Sequence, residues 1–460
     1  MSRRTMRERA AEELGRRHVV PYTCLTYPPY RPNWHHWVVG DVLNEVIMGG
    51  HKRVIFNEPP RHGKSEEITV RFPPHAMGRV HGLNVIVGSY AAGLATGFGR
   101  KARNQIKSPV FKRIFPGVTL AKDIGTAGAQ WALNTGSEFN AAGVGGGITG
   151  KGADILIIDD PIKDRKQANS VVYREALKDW YRDVALTRLS PDGAVIIPMT
   201  RWHHDDLVGW LLREWPEENW VVVRLPALMD NDPTKFDKRK PGEALWEQKF
   251  TAKMLRDVRE EIGPNSFNCL FQQKPTKGAA AILKIEWLQQ DFSLDMLPRF
   301  ARIVASWDTA FEKGERNAYN VGTVWGDTGG DYYLLEVVRF RGVFPEVKKR
   351  MVALHDKHHT DAVLVEKAAS GRDLLHELRK ESSLPLIGVP VHRDKVQRAD
   401  AVSGRFEARR VHVPRNAPWL ADYFTELDEF PETAYLDQVD STTQAIAWMS
   451  RYGAQEAFAA

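Results

Sequence analysis

Residues 53–72, RVIFNEPPRHGKSEEITVRF, put a β-branched run, a Gly-Lys-Ser loop and a segment of helical composition in direct succession. That order makes a phosphate-binding loop only if the strand is buried in a parallel sheet. Backbone N–H groups and the helix N-terminus then converge on one anion. The full pattern is Gly, four residues, Gly-Lys and Ser or Thr. Gly63, Lys64 and Ser65 satisfy its end, whereas Glu58 stands where the first glycine belongs. A rival stretch, GGGITGKG at 145–152, has Gly145, Gly150 and Lys151 but closes on Gly152 instead of a hydroxyl. It runs straight into ADILIIDD, a buried strand that leaves no room for a helix, so its resemblance to a dinucleotide fingerprint fails as well. EPPRHGKS is the phosphate loop, and the helix after it is expected to stop at Pro73.

Chemistry assigns the loop residues. Lys64 is expected at the β- and γ-phosphates of ATP, and the Ser65 hydroxyl on Mg²⁺. Gly63 lets the backbone approach the phosphates, and Arg61 adds a cation beside them. Downstream, ILIIDDP (155–161) is an apolar strand that ends in two carboxylates. Asp159 is expected next to the metal and Asp160 is expected to polarise the attacking water. NVIVGSY (84–90), GAVIIPMT (193–200) and NWVVVRL (219–225) read as further strands of an α/β parallel sheet covered on both faces. Thr200 closes one of them near the expected γ-phosphate.

A second acidic set follows. RIVASWDTAF (302–311) is a strand reaching Asp308, and VGTVWGD and DYYLLEVVRF are strands joined at Gly329–Gly330. A helix is expected around PEVKKRMVALHDKH. AVLVEK is a strand ending in Glu366, and LDQVDSTTQAIAWM opens a helix with Asp437 and Asp440. Three strands, then alternating helices and strands, with carboxylates at those positions, give an RNase H-like layout. Oxygen ligands without His or Cys suit Mg²⁺ or Mn²⁺ and a two-metal cleavage of phosphodiesters.

Composition narrows the class. At 460 residues the chain exceeds one compact core, and a formal net charge of +6 is compatible with a polyanionic partner. Cys24 and Cys269 fit no metal or disulfide pattern. No apolar run approaches the ~18 residues that span a bilayer. The Arg-rich N-terminus is expected to be a short charged helix or basic arm.

With both sites in view, the chain resembles the large subunit of tailed-phage terminases, ATP-driven DNA-packaging motors that carry a nuclease. PPRHGKSE, SYAAGLA, GVGGGITGKGADILIIDDPIKD, TRWHHDDLVGWLL, FQQKP, SWDTAF, VSGRFEARRVHVP and FPETAYLDQVDSTTQA carry the likeness in order, from about Pro29 to Met449. It implies a P-loop ATPase domain over 41–230, a linker over 231–295 and an RNase H-like domain over 296–460. Residues 1–40 would be a basic arm with an adenine-side segment, NWHHWVV, that supplies His35 or His36. The likeness puts Arg61, His62, Gly63, Lys64 and Ser65 at the nucleotide, Asp159 on Mg²⁺, Asp160 as catalytic carboxylate and Thr200 as the coupling residue. Asp308, Glu366 and Asp437 would hold nuclease metals, and Arg100 or Arg103 would act on ATP. It further implies double-stranded DNA, the portal protein and the small terminase subunit as partners. A pentameric ring would form on the procapsid portal vertex in the host cytoplasm, with no membrane.

Two positions depart from the family pattern: Ala318 and Leu436 stand where relatives commonly show Asp. Asp440 would have to compensate, although three helical positions turn it by nearly a full turn and ~4.5 Å along the axis. Lys395 and Arg398 read either as contacts to the DNA backbone or as ordinary exposed cations. An ATP-driven translocase with an inactive nuclease fold and a repair-type helicase–nuclease are the competing classes.

Overall fold

The computed structural model describes residues 5–122, 128–146, 150–275, 282–309, 319–367, 369–390, 395–431 and 436–457. It divides into two compact units, Met1–Leu255 with Asn268–Thr276, and Arg256–Phe267 with Lys277–Ala460. The polar stretch that begins at 231 therefore belongs to the first unit, and the chain passes between the units more than once.

The first unit is built on β1 (Arg53–Asn57), β2 (Asn84–Ser89), β3 (Gln130–Ala132), β4 (Glu138–Gly143), β5 (Ala153–Asp159), β6 (Leu189–Met199) and β7 (Val221–Arg224). They form one sheet in the order β3-β4-β2-β5-β6-β1-β7. Every pairing is parallel except β3 against β4. Alternation along β1 sends Val54 and Phe56 into one apolar cluster and Ile55 into another, as a two-sided parallel sheet requires. The strands read from the sequence are present. β3 and β4 are additional, and β4 is hard to see in advance because EFNAAG is poor in the β-branched and aromatic residues that mark strands.

The segment after the phosphate loop differs from expectation. Ser65–Arg71 forms a π-helical turn that passes directly into an α-helix over Phe72–Arg79. Pro73 lies in the first turn of that helix, where a missing N–H costs nothing, so it starts a helix instead of ending one. The N-terminal helix Met6–Arg17 is docked: Arg16 Nε donates to the Ile114 carbonyl at 2.8 Å and Glu12 pairs with Arg113 at 2.7 Å. The helix Trp34–Ile47 runs through residue 40 without a break.

The second unit holds β8 (Gln289–Phe292), β9 (Arg302–Asp308), β10 (Asn320–Asp327), β11 (Tyr332–Phe340), β12 (Ala362–Glu366), β13 (Leu386–Val389) and β14 (Val411–Pro414). Their order is β13-β12-β9-β10-β11-β14-β8, with β9, β10 and β11 antiparallel and the flanking pairings parallel. The β10–β11 turn falls at Gly329–Gly330, whose N–H groups both donate to Asp327 Oδ1. The helix Asp437–Ala457 packs with one apolar cluster, and Phe344–His358 lies on the other.

Candidate active sites

At the first site, three strand ends do the positioning. β6 separates β1 from β5, so the phosphate loop and the Asp159 end of β5 stand two strand spacings apart, about 10 Å. Thr200 follows β6 between them. Asp160 leaves β5 with a φ of +39°, and its N–H bonds the Pro198 carbonyl of β6 at 3.0 Å. That left-handed turn carries its carboxylate across β6. Asp160 Oδ1 accepts from the Thr200 N–H at 2.7 Å, and Oδ2 meets Lys64 Nζ at 2.8 Å. Lys64 Nζ also donates to Thr200 Oγ1 at 2.9 Å, whose hydroxyl in turn donates to the Glu58 carbonyl at 3.2 Å. Burial alone would depress the Lys64 pKa; the Asp160 and Asp159 carboxylates outweigh it and hold the ammonium above its ordinary value. Ser65 Oγ donates to Asp159 Oδ1 at 3.2 Å, while Asp159 Oδ2 is buried without a hydrogen-bond partner among the described residues. Burial, then the neighbouring Asp160, raises the Asp159 pKa. A hydroxyl beside a carboxylate with one buried open oxygen fits a divalent cation.

Beneath the loop lies a layer of neutral histidines. His35 and His36 are both buried, and each donates an Nε2 hydrogen to the His62 carbonyl, at 3.1 and 3.0 Å. Their Nδ1 atoms accept from Asn33, which leaves both rings as neutral tautomers. Burial agrees, pushing the pKa of His35 down to about 2 and those of His36 and His62 to about 4. His62 donates from Nδ1 to the Pro60 carbonyl and stacks on Phe250. Gly63, at φ +117°, is the position where this layer tolerates no side chain: a Cβ there would lie 2.5 Å from His36 Nε2. Arg61 is exposed, at φ +64°, and its carbonyl accepts from Lys249 Nζ at 2.6 Å. On the helix Ala92–Lys107, Arg100 is exposed and Arg103 half-buried. The rival stretch 145–152, part of which lies outside the described residues, leads directly into β5.

At the second site, the period of the strand selects the face. Val304 and Ser306 on β9, and Ala362 and Leu364 on β12, face the Asp437–Ala457 side. Two residues further along, Asp308 and Glu366 point the same way from adjacent parallel strands. The helix is pinned over them: Ser441 Oγ donates to the Ser306 carbonyl at 2.8 Å, and Gln444 Nε2 to Ser306 Oγ at 3.0 Å. A further contact joins Ser441 Oγ to Thr323 Oγ1 on β10 at 2.8 Å. Glu426 caps the helix by accepting from the Gln438 and Val439 N–H groups at 2.6 and 3.0 Å. The result is convergence. Burial first, then the carboxylates of Asp440, Glu366 and Asp437, push the Asp308 pKa well above the usual range. Burial likewise raises Asp437 and Asp440.

Asp440 thus joins the set despite its shift along the helix. Lys395 and Arg398 are neither loose nor plainly exposed. Arg398 bridges Glu366 at 3.2 Å and Asp440 at 2.8 Å, and Lys395 pairs with Asp440 at 2.5 Å. With side-chain cations among the acids, no group of three or more His, Cys, Asp or Glu among the described residues is drawn together tightly enough to hold a metal ion. The donor chemistry still fits one: Asp308, Glu366, Asp437 and Asp440 are hard oxygen donors, and their mutual repulsion is felt at Asp308 despite the opposing charge of Lys395. Leu436 packs against the apolar core, and Ala318 lies outside the described residues. The pinning residues Ser306, Thr323, Ser441, Gln444 and Glu426 escape sequence reasoning.

Residues 55–290 match the family model for the N-terminal part of the terminase large subunit, T4-like virus type, and 305–448 match that for the terminase RNaseH-like domain. The chain belongs to the terminase large-subunit family. It is therefore a DNA-packaging ATPase and nuclease, and the fold and both halves expected from the motifs are present. Among solved structures it is similar to the large terminase of a thermophilic bacteriophage, at 12% identity over 88% of this chain and 97% of that one, TM-score 0.43. It is also similar to the HK97 bacteriophage large terminase, at 14% identity over 92% and 93%, TM-score 0.37. The large terminase nuclease of another thermophilic phage, G20c, solved with bound magnesium, is similar at 16% identity over 38% and 98%, TM-score 0.29. No curated protein matches the chain significantly. Among the described residues no helix of this terminase is long and apolar enough to cross a membrane.

Proposed function

We propose that this terminase hydrolyses ATP at the phosphate loop of its first unit and cuts DNA at the carboxylate cluster of its second. The observation that carries the first assignment is the Lys64 ammonium held jointly by Asp160 and Thr200 at converging strand ends. When ATP binds, Lys64 would turn its ammonium from Asp160 and Thr200 to the β- and γ-phosphates, and Arg61 would add a second cation from the exposed side. Asp160, relieved of Lys64, becomes the carboxylate that accepts a proton from the attacking water. Thr200 loses its Lys64 partner in the same step and so registers the γ-phosphate. Ser65 and Asp159 would hold the Mg²⁺, which would supply charge neutralisation for the phosphates. His35, His36 and His62 support the loop backbone from below.

In the second unit Asp308, Glu366, Asp437 and Asp440 would hold Mg²⁺ or Mn²⁺, which supplies Lewis-acid activation for phosphodiester cleavage. Lys395 and Arg398 would have to yield part of the cluster to the metal or turn toward the DNA phosphates. The proposed functional division is ATPase over 41–230 and nuclease over 296–460. We assign the portal protein and small terminase subunit as partners, a pentameric ring as the working form, and the host cytoplasm and procapsid portal vertex as its place. A second reading, a translocase with a silent nuclease fold, is favoured by one observation: Arg398 bridges two of the acids.

Cleavage of supercoiled plasmid by the full chain in Mg²⁺ or Mn²⁺, beside Asp308→Ala, separates the two. Cutting that disappears in the variant is the expected result. Plasmid left intact in either metal would favour the silent fold.

A further inference from the structure

FQQKP is a motif of the chain to which neither site gives a task. Its glutamines are buried and act as backbone clamps. Gln272 accepts from the Leu228 N–H at 3.0 Å through Oε1 and donates to the Leu228 carbonyl at 2.7 Å through Nε2. Gln273 makes the corresponding grip elsewhere: Oε1 accepts from the Arg201 N–H at 2.9 Å, and Nε2 donates to the Leu270 carbonyl. Gln273 is 2% exposed and adopts φ +56°, a left-handed conformation that a non-glycine residue takes at a cost. A buried side chain on a left-handed backbone, accepting from one amide far along the chain, points to a positional task.

That amide matters because of its neighbour. β6 ends at Met199, so the Arg201 N–H has no strand partner and must find an acceptor. The Arg201 guanidinium is committed to Asp206, at 2.9 Å. The peptide between Thr200 and Arg201 is thus fixed on the Arg201 side by Gln273, and on the other by the Thr200 contacts to Asp160, Lys64 and Glu58.

We propose that Gln273 is a positioning residue for ATP hydrolysis, holding the Thr200–Arg201 peptide so that the Thr200 hydroxyl and N–H meet Lys64 and Asp160. The Gln273 side chain reaches the Arg201 N–H and the Leu270 carbonyl. It acts through Thr200, and it does so from Asn268–Thr276, a segment whose flanking residues on both sides belong to the second unit. The Thr200 state is therefore tied by one hydrogen bond to the chain that leads out of the ATPase unit. The inference rests on the phosphate-loop reading above.

The test compares Gln273→Met, close in volume but without an acceptor, with Gln272→Met, which loses the equivalent clamp at Leu228. ATP turnover, KM and Tm are measured on the full chain. Both variants should lose a similar amount of Tm. Only Gln273→Met should lose kcat, by about tenfold or about 1.4 kcal/mol of transition-state stabilisation, with KM within about twofold because ground-state phosphate contacts are untouched. Equal kcat in the two variants, or a KM effect alone, would overturn the proposal and leave Gln273 a structural clamp. Should Gln273→Met fail to fold, Gln273→Asn, one methylene shorter, withdraws the acceptor and is held to the same criteria. Lys64→Ala separates the two layers: wild-type turnover there sinks the phosphate-loop reading itself. A dead Lys64→Ala beside a fully active Gln273→Met sinks only this inference.

Discussion

Glu58, at the start of the phosphate loop, is buried, and neither of its carboxyl oxygens has a hydrogen-bond partner among the described residues. Burial pushes its pKa up to about 8 against a partial counter-pull from Lys64. An unfolded chain would release that proton near the ordinary value of 4.5. Between those values the native state keeps a proton that the unfolded state gives up, so stability falls as pH rises from about 4.5 to about 8. Glu58→Gln removes the titration. Its stability relative to wild type should grow from pH 5 to pH 8 by on the order of 1–3 kcal/mol, read by chemical denaturation at a series of pH values. Parallel curves for the two proteins would show that Glu58 is charged in the fold.

At the scale of elements, the nuclease cluster depends on how one helix is held. Asp437 and Asp440 reach Asp308 because Ser441 and Gln444 anchor the next turn to β9, and Glu426 fixes where the helix begins. Ser441→Ala removes the donor to Ser306 and the contact to Thr323, a loss of about 1–2 kcal/mol. Plasmid cleavage should fall by at least about tenfold while ATP turnover stays at the wild-type level. Unchanged cleavage would mean that apolar packing alone seats the helix. A second helix contact has the same local logic. Gly404 in VSGRFEARR lets the helix Lys395–Glu407 approach the Glu260 carbonyl so closely that a Cβ would collide with it. Arg405 and Arg259 then lock the approach through Glu260 and Glu407, at 2.6 and 2.7 Å. The helix so held carries Lys395 and Arg398.

For the whole molecule, each unit has its own sheet and its own apolar clusters. The two chemistries should therefore be separable by single substitutions. Lys64→Ala is expected to abolish ATP turnover and leave plasmid cleavage within about twofold of wild type, and Asp308→Ala should do the reverse. Loss of both activities in either variant, with Tm unchanged, would show that the sites depend on each other. Separability of the folds does not make the connection trivial, because the chain enters the second unit, returns over Asn268–Thr276 and leaves again.

The sequence alone was enough to identify the strands that end in Asp159, Asp308 and Glu366, the helix that starts at Asp437, and the terminase family. Each of these is written in local terms: β-branched runs, a glycine–lysine pair, a polar helix start. Short strands without that signature, such as β4 and β14, could not be seen, nor could a proline that begins a helix. The partnerships that decide chemistry were out of reach for a different reason. Lys64 with Asp160, Arg398 with Glu366 and Asp440, Gln273 with Arg201, and His36 under Gly63 join residues far apart in the chain. Which of them meet depends on the order of strands in the sheet and on which face of a helix is turned inward. Those are properties of the packed core, and no spacing along the chain encodes them.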